Sequence, residues 1–190
     1  MKKALLYLPL ILTMSCADCG TITVSDDAGV TSSGALVINE FMARNATGIT
    51  DENGAFEDWI ELYNGSEADI DLEGYGLSDD RFTPAKYVFP AGININAGGY
   101  LVIFADAEPD EGPLHANFRL SGDGESLLLS NPEGEAVDQV SFGPQNQDRS
   151  EGRFPNATGP FLPLEQSSPA AANTAPGLPD AGVADVAQGA

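Results

Sequence analysis

"DWIELYNGSEADIDLEGYGLSDD", residues 58–80, crowds carboxylates among large apolar side chains and contains no Lys, Arg or His. An acid/base site, a cation cage and the wet face of a sheet would all show this composition. Read at a period of two, Ile60 and Leu62 share one face of a strand and Glu61 and Tyr63 the other. Ile70 and Leu72 alternate in the same way with Asp69, Asp71 and Glu73. Alternation of this kind sends the aliphatic residues into a core and Glu61 into water, as in an antiparallel sheet with one solvated face. A glycosidase built on two carboxylates needs them across a sugar-sized cleft, and nothing in this stretch selects a pair. Solvated strand faces are therefore favoured over catalysis.

The same period runs outward through "ALVINEFMA", "KYVF", "YLVIFA", "SLLLS" and "AVDQVSF", short runs rich in β-branched and aromatic residues. Turn chemistry separates them: Asn64-Gly65, Gly98-Gly99, Gly122-Asp123-Gly124, and "NPEGE", where Pro132 presets φ and Gly134 closes a hairpin. No segment sustains an apolar helical face, so an all-β sandwich is expected and a βαβ enzyme framework is not. The expected core is Ile38, Trp59, Ile60, Leu62, Leu77, Phe89, Leu101, Ile103, Leu127, Leu129 and Val140.

The N-terminal "MKKALLYLPLILTMSCADCG" has a basic start, an apolar run and small residues around a cysteine, the build of a secretory signal. Thr13-Met14-Ser15-Cys16 resembles the lipobox of bacterial lipoproteins, with Thr13 where Leu is usual. That resemblance implies a signal peptide over 1–15, a lipidated Cys16 as membrane anchor, and, with Ala17 next, an outer-membrane lipoprotein of the cell envelope. Cleavage after Ala17 would give a secreted protein instead. Cys16 and Cys19 are the only cysteines, which leaves the globular part without a disulfide. Residues 16–34 read as a flexible tether, 35–172 as one domain, and 173–190 as a disordered tail rich in Ala, Pro and Gly.

The chain of 190 residues has room for one domain, with 29 Asp and Glu against 8 Lys and Arg. Removing Lys2 and Lys3 with the signal leaves 6 basic residues and a net charge of −23. Such a field repels phosphate backbones and anionic lipid, so nucleic acid is excluded as a general partner and the membrane is reached through the lipid anchor only.

Residues 36–142 resemble a lamin-tail domain, the immunoglobulin-like module of nuclear lamins that also occurs in exported bacterial proteins. The resemblance rests on "LVINEFMARN", "DWIELYN", "LEGYGLSDD", "KYVFPAGININAGGYLVIFAD" and "HANFRLSGDGESLLLSNPEGEAVDQVSF". The later "RSEGRFPNATG" adds to it, and the bacterial subtype fits best. "SSPAAAN", residues 167–173, resembles the closing stretch of bacterial members, with Ala170 where Gly is common. The resemblance implies an immunoglobulin-like sandwich that tethers or recognises and is not itself a catalyst. DNA contacts of nuclear lamin tails use a basic surface and do not transfer to this acidic one.

Other chemistry finds little support. His115 is the only histidine, so a His-rich zinc site or a Ser-His-Asp triad would hang on that one residue, which is read as ending a loop before a strand. Asn45, Asn64 and Asn156 head glycosylation sequons that a bacterial lipoprotein leaves bare. Trp59, Tyr63, Tyr75 and Tyr100 are read as sheet packing before a sugar platform. In "ITDENGAFEDWIE", Asp51, Asn53, Glu57 and Asp58 lie on a loop turned by Gly54 and offer oxygens to a hard cation such as calcium. It is not an EF-hand, because Leu62 stands where the twelfth-position Glu belongs, and a solvated acidic loop competes with the cation reading.

The sequence thus implies a non-enzymatic, lipid-anchored binding or structural module whose partner is an envelope protein or polysaccharide. Its alternatives are an accessory to an envelope nuclease or phosphoesterase and a calcium-dependent adhesion module. If Cys16 is the anchor, the wild-type protein takes up labelled palmitate and sediments with membrane, whereas Cys16→Ala does neither. Equal labelling of the two forms would rule the anchor out.

Overall fold

The computed structural model describes residues 35–176, so the stretches read as a signal peptide and a tether, Cys16 among them, and the chain beyond 176 lie outside the described residues. Every regular element described is a strand: β1 (Leu36–Met42), β2 (Trp59–Asn64), β3 (Ile70–Asp71), β4 (Gly76–Ser78), β5 (Tyr87–Val88) and β6 (Asn94–Ile95) come first. They are followed by β7 (Tyr100–Ala105), β8 (His115–Ala116), β9 (Glu125–Ser130), β10 (Ala136–Phe142), β11 (Glu151–Arg153) and β12 (Phe161–Pro163). A six-stranded sheet in the order β12-β11-β1-β2-β7-β8 faces a four-stranded sheet, β10-β9-β4-β5, and β3 pairs with β6 beside them. All pairings are antiparallel except β7 with β8. The expected β-sandwich is the fold.

The period-two pattern positions the inner faces. Ile60 and Leu62 from β2, Ile103 from β7, and Leu127 and Leu129 from β9 are fully buried in one apolar cluster. Leu72 joins them, while Asp69, Asp71 and Glu73 stay exposed, as the alternation requires. Of the expected core, Leu101 is only partly buried, and Trp59 is buried outside this cluster because it stands with Glu61 on the other face of β2. The hairpin at "NPEGE" forms as read, with Gly134 at φ 82° and its amide donating to Asn131 O at 2.9 Å.

One strand departs from strict alternation. Between Ile38 and Glu40 the β1–β2 register slips by a bulge, which lets both Ile38 and Phe41 face the core and turns Glu40 outward. The amide and carbonyl of Ile38 then find partners away from β2. Asp138 Oδ2 accepts from Ile38 N at 2.8 Å, and Arg153 Nε donates to Ile38 O at 2.9 Å. Arg153 Nη2 also reaches both oxygens of Asp138 at 2.8 and 2.9 Å, its Nη1 donates to Gly159 O, and its guanidinium lies 4.6 Å over the Phe161 ring. A single buried ion pair therefore ties β1, β10 and β11 together across the two sheets.

Arg153→Met leaves Asp138 buried without its cation and should cost about 3–5 kcal/mol in denaturant unfolding. Replacing the pair together, Asp138→Leu with Arg153→Met, is expected to recover little, because the Ile38 amide and carbonyl would remain unpaired. Full recovery in the double variant would show that the backbone groups find other partners.

Candidate functional site

The loop between β1 and β2 carries the residues read as a cation site, and the structure divides them. Asp51 is buried, and its Oδ1 accepts from Asn53 N at 2.9 Å and Ala55 N at 2.8 Å, while Gly54 takes φ 83° to close the turn. Asn53 Nδ2 donates to Glu111 Oε2 at 2.9 Å. Asp58 instead accepts from Asn45 N at 3.3 Å, and its backbone carbonyl from Ala105 N. Potential ligand atoms of Asp51, Glu111 and His115 lie within 4.8 Å of one another, a grouping that contains neither Glu57 nor Asp58. Burial pushes the carboxyls of Glu57 and Asp58 upward, with Arg119 opposing in both cases.

His115 is the centre that sequence reasoning passed over. It opens β8, is 1% exposed, and stacks on Phe104 with ring centroids 5.5 Å apart. Its Nδ1 donates to the buried carboxylate of Asp106, and Glu111 Oε2 lies 3.8 Å from the same nitrogen. Nε2 faces Glu52 Oε2 at 3.1 Å. Burial alone would lower the imidazole pKa, but Asp106 and Glu52 outweigh it and raise the value, so the ring carries its charge more readily than a free histidine. Among the described residues, both nitrogens are engaged by carboxylates and neither meets a serine. The only sequence signal was a lone histidine in a chain dominated by acids.

A second polar cluster corrects the reading of Glu61. Its side chain does point away from the Ile60–Leu62 face, yet it is 0% exposed, because the segment after β12 covers that face of the six-stranded sheet. Glu61 accepts from Asn39 Nδ2 at 2.9 Å and from Ala170 N at 2.6 Å, and burial pushes its pKa up to about 8. Glu40, its cross-strand partner, is also fully buried and accepts from Ser168 N at 3.0 Å and Ser168 Oγ at 2.7 Å. Burial raises its pKa as well, against the bonds from serine.

Three asparagines complete the cluster. Asn39 Nδ2 bonds Asn173 Oδ1 at 3.1 Å and Asn156 Oδ1 at 3.2 Å, and Asn173 Nδ2 reaches the carbonyls of Asn39 and Arg153, both at 2.9 Å. Asn173, read as the first residue of a loose tail, is thus buried and belongs to the fold, and Leu164 bridges to Pro176 beyond it. The sequon asparagines are similarly occupied: Asn45 and Asn64 are buried with their amides donated to backbone carbonyls, and Asn156 Nδ2 donates to Tyr100 Oη. Tyr63 and Tyr100 pack against each other at 4.7 Å, in keeping with sheet packing.

Ala170 sits at φ 62°, a left-handed conformation that an L side chain adopts at a cost. Glycine takes that conformation without the cost. Ala170→Gly should raise stability by roughly 1 kcal/mol, seen as a higher Tm, and a lower Tm would show that the methyl group supplies contacts worth more than the strain.

A family model described as the lamin tail domain matches residues 30–144, more than half of the chain. No curated protein is matched by the sequence. The match covers the strands from β1 to β10 and stops short of β11, β12 and the segment that closes over Glu40 and Glu61. With the sandwich seen in the strands and the family pattern running through them, the chain belongs to the lamin tail domain family.

Proposed function

We propose that this chain is a non-enzymatic binding or structural module of the cell envelope, held by lipid at Cys16, that recognises its partner through the loop end built around His115. The carrying observation is the convergence of two loops, 43–58 and 106–114, on one buried imidazole. The buried members, Asp51, Asp106 and His115, fix the frame, while Glu52 and Asn53 stand exposed at its rim. Loops held on a rigid sandwich in this way are the usual recognition surface of such folds. Carboxylates with so few cations suit a positively charged partner: a basic segment of an envelope protein, or a polysaccharide joined through calcium. The two arginines at these loops are each paired with a carboxylate, Arg44 of the first loop with Asp123 and Arg119 with Glu108 of the second. Family membership supports a binding or structural role and supplies no catalytic apparatus.

Capture from envelope extract with the wild-type domain, in calcium and in chelator, tests the reading. Charge-neutral changes at the rim, Glu52→Gln with Glu111→Gln, should abolish capture, whereas Glu133→Gln on the β9–β10 hairpin should leave it intact; equal capture by all three places the recognition surface elsewhere. For calcium itself, calorimetry at physiological salt should show binding of about millimolar strength or tighter that Glu111→Gln removes and Asp58→Ala retains. Loss in Asp58→Ala with retention in Glu111→Gln would restore the grouping read from the loop sequence alone.

A further inference from the structure

The segment after β12 buries one large apolar side chain, Leu164, and is otherwise tied down by polar groups, among them two carboxyls, Glu40 and Glu61, and the asparagines Asn39 and Asn173. Within it, Leu164, Ser168 and Asn173 are buried, whereas Glu165, Gln166 and Ala170–Ala172 are exposed. Ser168 and Ala170 donate to Glu40 and Glu61, which stand opposite each other on β1 and β2 at the spacing of direct cross-strand neighbours, and Asn173 bonds Asn39 and the Arg153 carbonyl beside them. Among the described residues no Lys, Arg or His forms an ion pair with either carboxyl. Arg153, whose carbonyl accepts from Asn173, spends its guanidinium on Asp138.

We infer that residues 164–176 form a strap that opens when the Glu40–Glu61 pair becomes fully charged and closes when that pair holds at most one negative charge. Two buried carboxylates side by side repel and have lost their water, and lifting the strap restores water to both. The titratable groups facing the pair add no positive charge. On β2 and β7 these are Tyr63 and Tyr100, on β1 and β2 the two glutamates themselves, and the strap and the 154–159 turn present Ser168, Asn173 and Asn156. Opening bares Asn39, Glu40 and Glu61 as a polar, acceptor-rich surface next to Tyr100.

The sign follows from linkage. Closed, Glu61 holds its proton up to about 8; open, it ionises near the ordinary value of 4.5. The closed state therefore binds more protons between those limits, so closure is fully favoured below that window and is progressively lost as pH rises through it.

Hydrogen exchange on the full chain, expressed as protection factors to remove the intrinsic effect of pH, reads the strap directly. Between about pH 5 and about pH 8.5, peptides covering 164–176 should lose at least about tenfold in protection, while the β9–β10 hairpin loses much less. Glu61→Gln should leave the strap looser at all pH, since one amide end meets the N–H of Asn39 or Ala170, but with a flat pH profile. A strap in the wild-type protein with protection independent of pH would overturn the inference. So would a hairpin that loses protection in step with the strap, or an unchanged slope in Glu61→Gln; if that variant does not fold, the wild-type profile alone decides.

Discussion

The sandwich depends on how β1 resolves its bulge. An extra residue in a central strand leaves a peptide unit without its ladder partners, and a buried amide in that condition costs as much as a lost hydrogen bond. Here the peptide groups of Ile38 are taken up by Asp138 and Arg153, from a strand of the facing sheet and from the next strand in its own. The ion pair is thus less a source of net attraction than a means of satisfying backbone that could not otherwise be buried. It joins three strands and braces the turn at Gly159, and so helps to set β11 against β1 and β10.

What the sequence made legible was whatever a period of two controls. Ile60 and Leu62 were assigned to the core correctly, and Glu61 to the opposite face correctly. The failure lay in equating the opposite face with water. Alternation reports which residues share a face, and carries no information about what comes to lie on it. The covering segment is short, rich in Ser, Pro and Ala, and lacks aromatic residues, so composition placed its end in a tail although Asn173 is buried. Its attachment runs through backbone amides and asparagines, groups that leave no hydropathy signal. His115 was missed for a related reason: its partners Glu52, Asp106 and Glu111 come from both sides of β7 and meet only in the folded chain.

The acidic composition is also used in two ways. At the loop end carboxylates surround one imidazole and remain partly in water, where they can meet a partner. Under the strap, carboxyls are removed from water and act as acceptors for backbone, so their worth depends on whether they are charged. The family match ends at residue 144, before the second arrangement is complete. Residues 145–176, beyond the matched span, supply two strands and the cover.

The place of β1 in the sheet has a mechanical side. The first described strand lies in the interior, with β2 on one flank and β11 on the other, and its bulge is pinned to β10 in the facing sheet. Tension reaching the domain through the residues before Leu36 would be borne along the strand axis, across hydrogen bonds on both sides, so that many must yield together. A strand at the rim could be peeled away one bond at a time. A domain loaded through an interior strand is suited to staying folded while pulled.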